Sequence, residues 1–287
     1  MTIEELIQIY KDKIDYLDLE IIIANSLDKT REFVLIHPEY KLTEFQIKNF
    51  KLKIQRRLKG EPVAYILEHK EFYGLDFVVN KHTLVPRPET EMMVEQTLGL
   101  LRNMPRDTFV IDIGTGSGNI IISITKNATR TDYKFYATDI SEGALKIAKR
   151  NAKNHGVDKK VKFIESNLLS AFIQNKKHIA QNANLIITAN LPYLSKEIYN
   201  SAPIDVKKFE PKSALYSPEQ GLQHYRKLLE QLQKIPSSTK TILLEISPEQ
   251  KQPLTKLIKT ILPTAKISFT KDLAGKWRIC NIKIQAN

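Results

Sequence analysis

The sequence predicts an α/β fold built on a doubly wound, largely parallel sheet of seven strands, the last of them antiparallel. From about residue 107, short apolar runs alternate with helix-length segments, as in strand–helix–strand units. A glycine-rich stretch joins one apolar run to the next helix, which is typical of nucleotide-binding turns. Only Asp272 to Trp277 separate the last two runs, too few residues for a helical crossover, so these runs should pair antiparallel.

Length and composition narrow the class of protein. The 287 residues are about twice a usual domain, and 42% hydrophobic and 26% charged residues are typical of a soluble protein. Apolar stretches are too short to span a bilayer, and the acidic start lacks the pattern of a signal or transit peptide, so we expect a cytoplasmic protein. The single cysteine, Cys280, excludes an intrachain disulfide, and the six histidines lack metal-ligand spacing. We therefore expect no metal.

The formal net charge is +12, and the excess of basic residues lies after residue 80. Such a basic portion fits either a nucleic-acid surface or an ordinary solvated lysine-rich surface. Direct nucleic-acid binding is therefore compatible with the sequence but not required by it.

The pattern changes twice before the alternating region. Residues 1 to 60 read as helices, with Thr2/Glu5 and Thr43/Gln46 as N-terminal capping pairs and Gly60 at a stop position. Tyr65-Ile66-Leu67 and the run from Phe72 to Val79 predict a β-hairpin connector. We expect three parts: a helical N-terminal domain (1–60), the connector (61–88) and the main domain (89–287).

The elements of the main domain follow from hydrophobic periodicity. Strands are predicted near 109–113, 134–138, 161–165, 184–189, 241–247, 266–270 and 278–284, and helices near 90–103, 119–127, 142–155, 221–234 and 249–261.

Two sets of residues at predicted strand ends are candidates for a binding site. The glycine loop after the first strand contains Asp112, Gly114, Thr115, Gly116, Ser117 and Gly118. Its backbone N–H groups can approach a ligand closely, and Asp139, which ends the next strand, stands where a carboxylate commonly accepts ribose hydroxyls. Asn190-Leu191-Pro192-Tyr193 follows the buried run Leu185-Ile186-Ile187 at the same edge of the sheet. An asparagine there suits a neutral amide or amino substrate because it forms hydrogen bonds without carrying charge.

The loop spacing G-x-G-x-G with a preceding acid departs from the dinucleotide pattern, and no P-loop lysine follows it. It resembles the first motif of the class I S-adenosylmethionine-dependent methyltransferases. That resemblance implies a Rossmann-like fold and S-adenosyl-L-methionine as cofactor. It also implies that Asn167, after the third strand, contacts adenine, with Leu168 as an apolar wall, and that Asn190 borders the cofactor.

Several segments together resemble the PrmC/HemK family of bacterial protein-(glutamine) methyltransferases, over essentially the whole chain. They are Gly60-Glu61-Pro62, Glu71-Phe72-Tyr73-Gly74-Leu75, Val85-Pro86-Arg87-Pro88-Glu89-Thr90-Glu91, Asp112 to Gly118, Asn190 to Tyr193, Phe209-Glu210-Pro211, Gly221-Leu222 and Leu244-Glu245-Ile246.

The family implies that the N-terminal domain docks a peptide chain release factor and that the main domain methylates the glutamine of its Gly-Gly-Gln loop. The implied catalytic residues are Asn190, Leu191, Pro192 and Tyr193. The Asn190 side-chain oxygen and the Leu191 carbonyl would accept the amide hydrogens, and Tyr193 would wall the pocket. We expect a monomer. Arg87 and Glu210 fit either a structural ion pair or a substrate-positioning role, and Glu245 fits a structural role.

The chain departs from the family pattern, which usually has N-P-P-Y preceded by Ser, with Asp at the start of that strand. Leu191, Ala189 and Asn184 stand at those positions, and Asn167 replaces an Asp. N-L-P-Y is the form of ribosomal-RNA adenine dimethyltransferases, which leaves an adenine methyltransferase acting on RNA or DNA as the alternative. A third hypothesis is a non-catalytic protein that keeps the cofactor fold and docks a translation factor; the intact glycine loop, Asp139 and Asn190 argue against it.

Overall fold

The computed structural model describes residues 1–130, 132–175, 179, 183–236 and 239–285. The chain divides into two compact units: Met1–His69 with Pro203–Phe209, and Lys70–Ala202 with Glu210–Asn287. Within the described ranges, no helix is both long enough and apolar enough to cross a bilayer. The domain boundaries at residues 60 and 88 stay a prediction.

The first unit is helical, as the sequence predicts. Its consecutive helices are α1 (Ile3–Tyr10), α2 (Tyr16–Leu27), α3 (Arg31–Ile36), α4 (Glu44–Leu58) and α5 (Val63–Leu67). Both predicted capping boxes form, at Thr2 and at Thr43. The apolar faces meet in one core that includes Leu6, Ile22 and Phe50, all nearly inaccessible to solvent.

One prediction for the connector is wrong, because Tyr65-Ile66-Leu67 is helical and lies in α5. The carbonyl oxygens of Tyr65 and Ile66 accept hydrogen bonds from the Arg56 guanidinium, so they are satisfied by a side chain from α4 and not by a strand. The hairpin begins just beyond, with strands β1 (His69–Phe72) and β2 (Leu75–Val78).

The remaining elements alternate along the chain. The strands are β3 (Phe109–Ile113), β4 (Lys134–Asp139), β5 (Val161–Glu165), β6 (Asn184–Ala189), β7 (Thr239–Glu245), β8 (Lys266–Lys271) and β9 (Trp277–Gln285). The helices are α6 (Glu91–Leu101), α7 (Asn119–Asn127), α8 (Glu142–Asn154), α9 (Ser170–Gln174), α10 (Lys196–Ser201), α11 (Ile204–Phe209), α12 (Pro218–Gly221), α13 (Gln223–Leu232) and α14 (Lys251–Ile261). Helix α11 belongs to the first unit. The short helices α9 to α12 have no counterpart in the sequence-based prediction.

The seven strands form one sheet in the order β5-β4-β3-β6-β7-β9-β8. Strands β3 to β7 run parallel to one another, whereas β9 runs antiparallel to both β7 and β8. The predicted doubly wound sheet with an antiparallel last strand is confirmed.

The sheet is buried on both faces. Consecutive residues of β3 belong to different apolar clusters, Val110 to one and Ile111 to the other, and Ile186 and Ile187 of β6 divide in the same way. Because side chains alternate along a strand, this division shows that each face of the sheet packs against its own core. The carboxyl ends of the central strands are left to carry the candidate site.

Candidate active site

One cavity lies at the carboxyl edge of the parallel strands and encloses about 1020 Å³ including its open mouth. Its lining includes ten of the catalytic and cofactor residues predicted from the sequence: Gly114, Thr115, Gly116, Ser117, Asp139, Asn167, Leu168, Asn190, Leu191 and Pro192. Three others, Asp112, Gly118 and Tyr193, are not among the lining residues. The structure therefore brings together the ends of β3, β4, β5 and β6, as the parallel topology requires.

The three glycines of the loop have positive φ and different surroundings. A Cβ at Gly116 would have no atom within 4 Å, so the backbone there is open to close approach by a ligand. A Cβ at Gly118 would lie 2.8 Å from Ile122 Cδ1 and 3.2 Å from Ala148 Cβ. Gly118 therefore serves the packing of α7 against α8, whereas Gly116 serves access to the cavity.

Asp112 supports the loop from beneath. Its side chain is fully buried, and its two carboxylate oxygens accept hydrogen bonds from Thr115 Oγ1 at 2.6 Å and Thr188 Oγ1 at 2.7 Å. Burial raises the pKa of the Asp112 carboxyl to about 6, although both hydroxyls oppose the shift. Asp112 thus ties the glycine loop to β6, and its direct contact with a cofactor stays a prediction.

Asp139 lines the cavity while holding the same loop. One carboxylate oxygen accepts the Gly116 N–H at 2.9 Å and the other accepts the Ser141 N–H at 2.9 Å. Burial raises the pKa of Asp139, and these backbone donors work against that shift. Because each carboxylate oxygen has two lone pairs, both retain capacity to accept hydroxyl groups of a ligand.

The turn after β5 has an unusual backbone. Leu168 lies in the left-handed region at φ +57°, which is costly for a residue with a Cβ. Gln231 holds both sides of this residue, because its Oε1 accepts the Leu169 N–H at 2.7 Å and its Nε2 donates to the Asn167 carbonyl at 3.4 Å. The turn thereby presents Asn167 and Leu168 to the cavity.

The Asn190 side chain is held by Thr90, which was not predicted to lie in the site, and through it by Glu245, for which a structural role was expected. Its Nδ2 donates to Thr90 Oγ1 at 3.3 Å, and Thr90 Oγ1 donates to Glu245 Oε2 at 2.6 Å. Asn190 Oδ1 accepts no hydrogen bond from the residues that the structure describes. Glu245 ends β7, which lies beside β6, so the predicted strand order could have placed Glu245 at the same sheet edge as Asn190.

Leu191 is 3% exposed and packs into the core, with its Cδ2 3.1 Å from the position of a Cβ on Gly114. The Leu191 side chain is therefore packed against the glycine loop. Within the described ranges, the Leu191 carbonyl oxygen accepts no hydrogen bond.

Tyr193 is not among the residues that line the cavity, and its role as a pocket wall stays a prediction. Its partly buried side chain packs against the apolar core, and its carbonyl oxygen accepts a hydrogen bond from Gln250 Nε2 at 3.2 Å. Gln250 Nε2 also donates to the Gly221 carbonyl at 3.0 Å. The end of the N-L-P-Y segment is thus fixed from behind by Gln250 and by the close approach of Gly221.

The cavity lining also includes residues that were not predicted to lie in the site, among them His82, Arg87, Thr90 and His224. Burial lowers the pKa of His224, whose Nδ1 is 2.8 Å from Ser217 Oγ. Arg87 pairs with buried Glu210 at 2.5 Å, and Glu210 also accepts the Val85 N–H at 3.1 Å. An ion pair, one of the two roles considered for Arg87 and Glu210, is therefore present, and a substrate-positioning role stays a prediction.

Replacing Gly221 by alanine tests the support of the N-L-P-Y segment. A Cβ there would lie 2.1 Å from the Tyr193 carbonyl oxygen, so the segment must move. A displacement of about 1 Å can cost about 100-fold in rate, and we expect a loss of that order in the methyl transfer that the family resemblance implies. Gly275→Ala is the matched control, because Gly275 has a similar φ and no atom within 4 Å of its Cβ position. Equal rates for the two variants would contradict the role of Gly221 in supporting the N-L-P-Y segment.

Asp112→Asn tests the buried carboxyl. Its pKa rises from 3.8 to about 6 on folding, so its contribution to stability is present below pH 3.8 and is lost as pH rises through 6. As pH rises between those values, the free energy of unfolding measured with urea should increase in the variant relative to the wild type. The gain should be on the order of 3 kcal/mol. A difference that does not vary with pH would show that Asp112 is not perturbed.

Comparisons with known proteins agree with this geometry. The family model of the PrmC N-terminal domain matches residues 5–67, and that of a methyltransferase domain matches residues 106–253. The release factor glutamine methyltransferase of Bacillus cereus is 32% identical over 265 residues, covering 91% of this chain and 89% of that protein. The protein of the same name from Staphylococcus aureus is 33% identical, covering 88% of this chain and 87% of that protein.

Two solved structures share the fold. The hMettl16 catalytic domain in complex with the MAT2A 3'UTR hairpin 6 has a TM-score of 0.56 at 16% identity, covering 74% of this chain and 76% of that chain. Human methyltransferase 10 domain containing protein has a TM-score of 0.51 at 15% identity, covering 82% of this chain and 97% of that chain. The sequence identities over nearly the whole length decide the relationship: the chain belongs to the release factor glutamine methyltransferase family.

Proposed function

We propose that this chain transfers a methyl group from S-adenosyl-L-methionine to the side-chain amide nitrogen of the glutamine in the Gly-Gly-Gln loop of peptide chain release factors. Membership of the family supports the reaction and the substrate class. The observation that carries the proposal is a pair of uncharged acceptors, Asn190 Oδ1 and the Leu191 carbonyl oxygen, in residues that line the cavity.

A primary amide matches these two acceptors. Its nitrogen carries two hydrogens, and neither acceptor takes a hydrogen bond from the described part of the chain. A carboxylate would instead bring its negative oxygens against two acceptors and leave them unpaired, at a cost in affinity. The pair therefore selects a nitrogen that carries two hydrogens.

The cavity also fits the proposed cofactor. The empty Cβ position of Gly116 gives a ligand access to the loop backbone, and Asp139 retains lone pairs for ribose hydroxyls. Asn167 and Leu168 would contact adenine. The other expected cofactor residues are Asp112, Gly114, Thr115, Ser117, Gly118 and Asn190. When bound, S-adenosylmethionine supplies an electrophilic methyl group on its sulfonium.

The contribution of the chain to the reaction is mainly positioning. An amide nitrogen is a weak nucleophile because its lone pair is delocalised into the carbonyl group. Accepting both amide hydrogens fixes the amide plane and aims the nitrogen, which suits a near-attack geometry with reacting atoms about 3–3.5 Å apart. Pro192 keeps the residue before it extended, which helps to hold the Leu191 carbonyl in place.

The direct test is to incubate the purified chain with methyl-labelled S-adenosylmethionine and a release factor. We expect label in the release factor and none in a variant whose loop glutamine is replaced by alanine. Total RNA serves as a parallel substrate, because an adenine methyltransferase is the alternative hypothesis. Label in RNA alone would contradict the proposal, and calorimetry that detects no cofactor binding would favour a non-catalytic protein.

Asn190→Ala separates substrate positioning from cofactor binding. The variant loses one of two acceptors, and removal of a single hydrogen-bonding group from a catalytic site typically costs about 100- to 1,000-fold in turnover. We expect a loss of that order with cofactor affinity, measured by calorimetry, within about threefold. Equal losses in rate and affinity would show that Asn190 serves mainly the cofactor.

A further inference from the structure

Two buried residues behind Asn190 form a short hydrogen-bonded chain with it. Thr90, at the start of α6, is 1% exposed, and Glu245, at the end of β7, is 2% exposed. The distances are 3.3 Å from Asn190 Nδ2 to Thr90 Oγ1 and 2.6 Å from Thr90 Oγ1 to Glu245 Oε2. Three segments far apart in sequence thus meet at one amide group.

The chain of hydrogen bonds has a direction. When Glu245 is ionised, its carboxylate can only accept, so it takes the one hydroxyl hydrogen of Thr90, in agreement with the contact of 2.6 Å between Thr90 Oγ1 and Glu245 Oε2. The Thr90 oxygen is then left with lone pairs only, and the group facing it must be a donor. Of the two ends of the Asn190 amide, only the NH₂ end can donate. An inverted amide would set Asn190 Oδ1 against the Thr90 lone pairs.

Burial raises the pKa of Glu245 to about 7, and Glu89 adds to that shift, whereas the Thr90 hydroxyl, Arg278 of β9 and Arg87 lower the pKa. Above pH 7 the carboxylate form of Glu245 therefore predominates. The Tyr225 hydroxyl of α13 donates to the Glu245 backbone carbonyl, and Tyr193 lies nearby. Arg87 and Arg278 also pair with Glu210 and Asp272, so they offset only part of the effect of burial on Glu245.

We propose that Thr90 and Glu245 are positioning residues that fix the Asn190 amide with its oxygen toward the cavity, and so make the site specific for a nitrogen that carries hydrogens. This role rests on the proposed function for its substrate. The orientation itself does not depend on the substrate.

Thr90→Val keeps the shape of the side chain and removes the hydroxyl. Asn190 then has no acceptor that selects its NH₂ end. We therefore expect kcat for release-factor methylation to fall about 10- to 100-fold, whereas KM for S-adenosylmethionine should stay within about threefold of the wild-type value. Thr90→Ser, which retains the hydroxyl, should restore the rate to within about threefold. Glu245→Gln should give an intermediate loss, because a neutral amide can present either a donor or an acceptor to Thr90.

Thr97→Val is the matched control. Thr97 lies in the same helix, is fully buried and loses one hydrogen bond, from its Oγ1 to the Met93 carbonyl, but it does not line the cavity. Its kcat should stay near that of the wild type. Equal losses for Thr90→Val and Thr97→Val, or no rescue by Thr90→Ser, would overturn the proposal.

Two further measurements isolate the route through Asn190. In an Asn190→Ala background, Thr90→Val should cause no additional loss, since the group on which it acts is gone. A further loss as large as in the wild-type background would overturn the proposal.

The second measurement needs no substrate. The Asn190 side-chain amide signal in a ¹H–¹⁵N NMR spectrum can be assigned by its absence in Asn190→Ala. Its hydrogen exchange should be slow in the wild type and in Thr90→Ser and at least about tenfold faster in Thr90→Val. Unchanged exchange in Thr90→Val would overturn the positioning role, whereas changed exchange in a chain that methylates no release factor would count against the proposed function alone.

Discussion

The arrangement of the site depends on the buried carboxyl of Asp112. It lies on β3 directly opposite Thr188 of β6, and its two oxygens hold Thr188 and Thr115 at the same time. One group thereby fixes the glycine loop to the strand that ends at Asn190. Burying a carboxyl costs free energy, which is expressed in its pKa of about 6, and the two hydroxyl donors offset part of that cost. The glycine loop and the N-L-P-Y segment are therefore built on one shared support.

The chemistry that this support permits follows from uncharged acceptors. The amide of Asn190 is oriented from behind, and the Leu191 carbonyl belongs to a backbone that Pro192 and Gln250 restrain. A site of this kind suits an amide substrate, for which positioning counts more than proton removal. The leucine that departs from the family pattern keeps the required carbonyl, and its buried side chain packs beside Gly114.

Much of the fold could be predicted from the sequence because it follows from local patterns. The seven strands, their order of appearance and the antiparallel last strand follow from hydrophobic periodicity and loop length, and the structure confirms them. Parallel topology also predicted that the glycine loop, Asp139 and Asn190 would meet at one edge. Helix α5 was missed because the carbonyl groups of Tyr65 and Ile66 are satisfied by the Arg56 side chain, nine and ten positions earlier, which a local hydrophobic pattern does not reveal.

The supporting residues of the site were harder to predict because their partners are distant in the sequence. Thr90 and Glu245 are 155 positions apart, and neither has a local pattern that points to the other. Asp112 and Tyr193 belong to motifs that were recognised, yet neither lines the cavity: the Asp112 side chain is fully buried, and that of Tyr193 packs against the apolar core. A motif identifies which residues gather at an edge, whereas the direction of each side chain depends on partners distant in sequence.

In the proposed reaction, two neutral acceptors hold the substrate nitrogen. A crystal structure of the chain with S-adenosylhomocysteine and a release factor bound would measure this contact directly. We expect the glutamine side-chain nitrogen to lie about 3 Å from both Asn190 Oδ1 and the Leu191 carbonyl oxygen. A glutamine whose side-chain oxygen faces the Asn190 NH₂ group, or whose nitrogen contacts neither acceptor, would contradict it.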